Sequence, residues 1–327
     1  MNNILPIRNT DGGYAVGIDL GGTTVTASAV SHDGNILSRI EYPSLAKEGM
    51  DATCRQISEA ADKAVKDAGL RKRDVIACGM GTPGVFDAPS GDMFFVPNFK
   101  EWDGKNLYQA LAQHSGYKYY IGNDVNAAAF GEYFYGAGKE SRAMVMFTMG
   151  TGIGSGVIID GKPLRGVFAS PEMGHIVISE DGPRCVCGAR GCLEAYCGRD
   201  AIIARCLDKL QGGASSGITE LQQDRITPKD IDIYAERGDE LCLEVLRETG
   251  HYMGLGVANA INIFNPDLIV IGGGVGQSET LFEALKATAF RTAIPSLAEK
   301  CRVIQSPLDN MAGVLGAAGL AYRGEYA

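Results

Sequence analysis

The sequence predicts an α/β protein of two lobes with a cleft between them, and three observations carry that prediction. Two segments share one design of apolar strand, glycine turn and second strand: AVGIDLGGTTVTASAV at 15–30 and MVMFTMGTGIGSGVII at 144–159. Each is followed by sequence of helical period, so that a β-meander with helices occurs twice. The chain is 327 residues long, which at roughly 100–200 residues per domain suits two domains or one large one.

The elements follow in order. β-Branched and apolar residues flank both glycine turns, and Asp33-Gly34 and Asp160-Gly161 further on are hairpin dipeptides. A helix is expected over Ala52 to Ala68, a strand over Val75 to Cys78 and an Ala-rich helix over Val125 to Tyr135. The longest helix is expected from about Asp239 to Ile263. A strand over Asp267 to Ile271 is closed by Gly272-Gly273-Gly274, and Ala312 to Tyr322 forms the last helix. Gly212 to Gly217, all small residues, reads as a surface loop.

Composition narrows the function. Hydrophobic residues at 45% and charged residues at 21% exclude a disordered, coiled-coil or collagen-like chain. Glycine is high: 44 residues is about 13%, against a usual level of roughly 7%. Clustered glycine suits turns that approach a ligand closely. A net charge of −9 has the wrong sign for a phosphate-backbone binder, so nucleic acid is not an expected partner. No apolar run approaches the roughly 18–20 residues of a membrane span, and the first 14 residues lack a signal peptide's apolar stretch. A cytoplasmic protein without a membrane partner is expected. Four of the nine cysteines fall at 185, 187, 192 and 197 and the rest are scattered, which suits free thiols plus one metal site better than a disulfide framework.

Several motifs carry chemistry. In Asp19-Leu20-Gly21-Gly22-Thr23-Thr24, glycine N–H groups and threonine hydroxyls can cradle phosphate, or the segment is a tight hairpin with a capping Asp. A second such turn, Gly150-Thr151-Gly152 within 150–156, would give one phosphate site a second wall. Other nucleotide motifs fail: GMGTPG at 79–84 matches G-x-G-x-x-G, but Val85 to Asp92 cannot open the required helix, and no P-loop occurs. Asn123-Asp124 stands where a strand gives way to the Ala-rich helix. Asp124 is there either an N-cap or a carboxylate able to accept a proton from a hydroxyl substrate.

His175, Cys185, Cys187 and Cys192 form H-x(9)-C-x-C-G-x-x-G-C, four ligands suited to a closed, structural tetrahedral zinc; Cys197 is a spare helical residue. The alternative is a core histidine among buried cysteines, which would not need Gly188 and Gly191. Glu172 and Glu194 flank this segment; they are solvated charges or, anchored by the metal, acceptors for sugar hydroxyls.

Taken together these motifs resemble the ROK (repressor, open reading frame, kinase) family of sugar kinases, from Gly17 to about Ala321. The resemblance rests on GIDLGGT at 17–23, TMGTGIGSG at 148–156, VIGGG at 270–274, EMGH at 172–175 and the run from Cys185 through Glu194. Gly122-Asn123-Asp124 and Thr82-Pro83-Gly84 complete it. It implies the actin-like, hexokinase-type ATPase fold, with ribonuclease H-like lobes, a central cleft and a small zinc-bound loop at 175–192. The smaller lobe would be 1–121 plus 312–327 and the larger 122–311.

It also implies ATP, Mg²⁺ and structural Zn²⁺, with a hexose as substrate, most like the bacterial glucokinases. Asp124 would be the catalytic base, and Gly84, Asn98, Asn123, Glu172, His175 and Glu194 the sugar contacts. Asp19, Gly21, Gly22, Thr23, Thr24, Gly150, Thr151 and Gly152 would serve the phosphates, Gly273 and Gly274 the adenosine. A homodimer or dimer of dimers is implied.

Fructose, allose and N-acetylhexosamines remain alternative substrates, and a non-catalytic sugar-binding regulator an alternative function. Where the family usually has glycine before the glutamate, Pro171 precedes Glu172, removing an N–H and fixing φ near the sugar contacts. Only 13 residues precede Tyr14, so no N-terminal helix-turn-helix domain of the kind carried by the family's repressors is expected.

Overall fold

A nearly unbroken apolar run makes Tyr14–Leu20 the central strand, β1, of a five-stranded sheet. Ala15, Val16, Ile18 and Leu20 are all fully buried, as expected of a strand covered on both faces. The structure, a computed structural model, describes residues 13–96, 99–167 and 169–326.

β2 (Thr24–Val30) and β3 (Ile40–Pro43) extend the sheet antiparallel. α1 (Met50–Asp67) packs on β2 and β3 through Cys54, Ile57, Ala61, Ala64 and Val65, which recur at helical spacing. β4 (Val75–Thr82) lies parallel to β1. β5 (Val85–Asp87) and β6 (Asp92–Phe95) form a separate hairpin, followed by α2 (Leu107–Ala112). β7 (Tyr119–Asn123) lies parallel to β4 and runs directly into α3 (Asp124–Phe134), giving the order β3-β2-β1-β4-β7.

The second sheet repeats this plan. β8 (Ala143–Met149), β9 (Ile153–Ile159) and β10 (Lys162–Pro163) come first. Asp160 and Gly161, both left-handed (φ 49° and 77°), make the two-residue loop between β9 and β10. Four helices follow: α4 (Leu193–Cys197), α5 (Arg199–Gln211), α6 (Pro228–Glu236) and α7 (Glu240–Phe264). Then come β11 (Leu268–Gly272), α8 (Glu279–Thr292), α9 (Pro295–Ala298) and β12 (Arg302–Gln305). The order is β10-β9-β8-β11-β12, with β11 parallel to β8 and β12. In both sheets the first strand in sequence is central, with two strands added on one side and two parallel strands on the other.

The chain divides into two units at Ser141/Arg142, Ser155/Gly156, Pro171/Glu172 and Asp309/Asn310. The last helix, α10 (Ala312–Arg323), belongs to the first unit and packs on β1, β4 and α3. It lies at backbone distance. A Cβ on Gly79 of β4 would be 1.6 Å from Ala317 O, and one on Gly316 would be 1.6 Å from Ala127 O in α3.

This packing also explains one departure from expectation. β4 runs four residues beyond Cys78, through Gly79 and Gly81, because those glycines leave room for what lies over them. Asp33-Gly34 closes a longer turn, from Ser31 to Asn35, instead of a two-residue hairpin. All nine cysteines are free, and among the described residues no helix is long and apolar enough to cross a membrane.

Gly316→Ala should lower stability by about 3 kcal/mol, because a methyl group there forces α10 off α3. Chemical denaturation measures this, and a loss under about 1 kcal/mol would contradict backbone contact between the helices.

Candidate functional site

In the first unit, strand register brings the predicted residues to one edge. Asp19 pairs with Gly81, Gly81 with Gly122, and Thr82 with Asn123, so Asp19 and Asn123 both lie at the carboxyl ends of parallel strands. Open α/β sheets bind their ligands at such ends. Asn123 is the N-cap of α3: its Oδ1 accepts from Val125 N at 3.0 Å and Asn126 N at 3.4 Å. The cap therefore belongs to Asn123, and Asp124 is the first residue of the helix, its Oδ1 also accepting from Val125 N at 2.9 Å. Asn123 Nδ2 donates to Gly84 O at 3.4 Å, so these two predicted residues are in contact. Asn98 lies outside the described residues.

The first glycine turn closes through Gly21 N–H donating to Thr24 O at 2.8 Å, leaving Thr23 and Thr24 exposed. Ser44, which the sequence did not single out, buttresses it: Ser44 Oγ donates to Gly22 O at 3.0 Å and Ser44 N to Thr23 O at 2.9 Å. Asp19 sits against the first turn of α10, where a Cβ on Gly313 would be 2.9 Å from its Oδ2. Burial pushes the Asp19 carboxyl up to about 6, with the negative charge of Asp124 adding to the effect.

The second unit gathers the remaining residues. In the second glycine turn, Gly150 N donates to Gly152 O at 3.0 Å. None of Gly21, Gly22, Gly150 and Gly152 has a positive φ, so torsion does not demand glycine there. At Gly152 close approach does, since a Cβ would lie 2.2 Å from Glu194 Oε2. β8 and β11 end together, with Thr148 paired to Gly272, and Gly273 (φ 81°) turns over the Met149 backbone. The TMGTG and VIGGG segments are thus neighbours; within the latter, Gly274 is exposed. Enclosure of its carboxyl raises Glu172 above the ordinary range; Glu194 adds to this and His175 offsets it.

The cysteine segment folds into a knuckle. Cys185 N donates to Ala189 O and Gly188 N to Cys185 O, while Val177 bridges Cys192. Gly191 is left-handed (φ 72°) and a Cβ there would strike Ser179 O at 1.6 Å, so only glycine fits. The ligand atoms of His175, Cys185, Cys187 and Cys192 all lie within 4.8 Å of one another. Zinc bonds of about 2.3 Å to sulfur and about 2.0–2.1 Å to nitrogen imply tetrahedral edges of roughly 3.8 Å (S···S) and 3.6 Å (S···N). Cys187 Sγ and Cys192 Sγ are 3.6 Å apart, and Cys185 Sγ and His175 Nδ1 3.5 Å. The cluster can therefore hold a zinc through Nδ1. Cys197 stands apart, buried, with its thiol on Thr249 O.

These features define a two-unit α/β protein with a Cys₃His knuckle and two glycine turns at strand ends. Its fold is that of the ROK hexokinase structures. The chain belongs to the ROK family, whose profile matches residues 15–323. It is 35% identical over 309 residues to a glucokinase of Thermotoga maritima, covering 93% of this chain and 96% of the relative. The crystal structure of a ROK family glucokinase from Streptomyces griseus, in complex with glucose and AMPPNP, superposes with a TM-score of 0.83 at 31% identity, covering 95% of this chain and all of that one. Regulators are also among the relatives: the Escherichia coli DNA-binding transcriptional dual regulator NagC is 28% identical, with 97% of this chain matching 77% of that protein.

Two outcomes follow. The folded-state value of Asp19 exceeds the ordinary 3.8, so its protonation favours folding fully below about pH 4, and that advantage is lost as the pH rises through about 6. Asp19→Asn should therefore stabilise the ligand-free chain by roughly 2 kcal/mol at pH 7.5 and by almost nothing at pH 4. Denaturation at the two pH values measures the difference, and a gain independent of pH would contradict the assignment. For the knuckle, elemental analysis should find about one zinc per chain, and Cys192→Ser should remove it and lower the melting temperature. Metal-free wild-type protein melting at the same temperature as metal-loaded protein would overturn the site.

Proposed function

We propose that this chain is an ATP-dependent hexose kinase and that its hexose is glucose, phosphorylated at the 6-hydroxyl. The observation that carries the reading is the start of α3, where Asn123 takes the cap and the next residue, Asp124, presents a carboxylate at the same sheet edge as Asp19. Asp124 would accept the hydroxyl proton as the oxygen attacks the γ-phosphorus in line. The glycine turns at 21–24 and 150–152 would offer N–H and hydroxyl donors to the phosphates, and Gly273-Gly274 would border the adenosine. Mg²⁺, bound with the nucleotide, would neutralise phosphate charge, and Asp19 would hold its water shell.

Sugar hydroxyls would meet Gly84, Asn98, Asn123, Glu172, His175 and Glu194. Zinc, when bound, fixes the loop that carries the last three, and coordination through Nδ1 would fix the tautomer so that Nε2 serves the sugar. The Thermotoga glucokinase and the Streptomyces complex support both glucose and an ATP-like donor. Pro171 leaves open a different pocket shape, so fructose, allose and N-acetylhexosamines are the competing substrates.

Asp124→Asn should cut turnover by about 10²–10⁴-fold while sugar affinity stays within a few-fold, because the amide keeps the shape but accepts no proton. Coupled ADP release across a panel of hexoses and hexosamines with ATP measures both activity and preference. More than a tenth of wild-type turnover in the variant would reduce Asp124 to a structural residue. Glucose binding without ADP release from any sugar would instead favour a regulator of the NagC kind.

A further inference from the structure

Glu194 makes contacts that a sugar ligand does not need. Its Oε2 accepts from Ile153 N at 3.0 Å, at the close of the second glycine turn, and the same oxygen occupies the space that a Cβ on Gly152 would take, 2.2 Å away. Its Oε1 lies 3.8 Å from the thiol of Cys185, one of the four metal-cluster residues. Glu194 stands two positions after Cys192, and α4, on which it rides, is fastened to the knuckle by Leu193 N donating to Ile176 O at 2.9 Å. Just past α4, Arg199 N donates to Gly150 O and Thr151 O, so the turn is held from two points on the segment that follows the knuckle.

We propose that Glu194 is a positioning residue for the second phosphate turn, a tether that sets the backbone of Gly150–Ile153 against the metal knuckle. The proposal rests on the kinase reading for what the turn binds. If the knuckle grips the turn through Glu194, zinc loss weakens nucleotide binding as well as sugar binding. The glycine at 152 is then required for the tether to pass, and the contact is a charge-assisted hydrogen bond inside a partly buried site.

The test is a double-mutant cycle of Glu194→Ala and Gly152→Ala, with Glu194→Gln as the conservative variant, read by calorimetric titration with AMPPNP and no sugar. Zinc content is measured on every protein. Glu194→Ala should weaken AMPPNP binding about 10-fold or more with about one zinc retained, and Glu194→Gln, which keeps the acceptor oxygen, should restore most of the loss. Gly152→Ala should weaken binding in the wild type but change it by less than about 3-fold in the Glu194→Ala background, where the collision is gone. Additive losses would mean that Gly152 meets the phosphate directly, and unchanged affinity in Glu194→Ala, or loss of its zinc, would overturn the tether. Amide hydrogen exchange at Ile153 gives a readout independent of nucleotide: protection should fall in Glu194→Ala and persist in Glu194→Gln. Wild-type protein that binds no AMPPNP would defeat the kinase reading, and exchange at Ile153 would still decide the tether.

Discussion

The first unit depends on backbone contact between α10 and the elements beneath it. Gly17, Gly79 and Gly131 each face α10 where a Cβ would fall 2.2 Å or less from one of its carbonyl oxygens, and Gly316 of α10 faces a carbonyl of α3 in the same way. A helix seated on side chains can slide or tilt as they repack, but one seated on backbone has one position. That position places the helix's first turn at Asp19 and presses α10 on α3, the helix that Asn123 and Asp124 begin. Both carboxylates are thus located by a contact that involves neither of them. A cost of seating Asp19 there is visible in its carboxyl, which burial pushes up to about 6, with the charge of Asp124 adding to the effect. Groups at functional sites commonly carry perturbation of this kind.

The second unit uses a different device for the same purpose. Apart from its glycine turns at strand ends, its candidate residues lie on irregular chain between Glu172 and Cys192 and on the short helix α4, where no sheet register fixes them. A metal held by the four ligand atoms, which lie within 4.8 Å of one another, would supply the constraint, and hydrogen bonds from the knuckle and α4 would carry it to Glu194 and the glycine turn. Loops without a core of their own are generally mobile, and closing one on a metal removes that freedom at little cost in chain length.

What the sequence disclosed follows from how local each feature is. The knuckle was legible because its ligands and turn glycines fall within 18 residues, and spacing alone distinguishes them from buried thiols. The repeated meander was legible because apolar and β-branched runs flanking a glycine turn are short-range signals, and both sheets carry it. At the start of α3 the sequence left Asp124 between cap and base, since Asn and Asp both cap helices. Geometry gives the cap to Asn123. The link from Glu194 to Ile153 spans 41 residues and connects a side chain to a backbone N–H, which any sequence could supply, so no signal existed to be read. None of the two turns' glycines at 21, 22, 150 and 152 has a positive φ; at Gly152 the requirement is space, which only the fold reveals.

The two sheets share one plan yet differ where their central strands end. β1 carries Asp19 in register with Gly81, whereas the corresponding place in β8 is Thr148, in register with Gly272. One glycine turn therefore follows a carboxylate and the other follows a hydroxyl. On the kinase reading an anion approaching the first turn meets two acidic groups, Asp19, raised by its burial and then by the charge of Asp124, and Asp124 itself, so a phosphate there would need a cation to reverse the sign. An anion approaching the second turn meets Glu194, but that carboxylate is engaged by Ile153 N–H and set beside the Cys185 thiol. On this reading the duplicated plan supplies two turns of like backbone and unlike electrostatics. The first suits a phosphate that arrives with its metal ion, and the second suits one held by backbone donors alone.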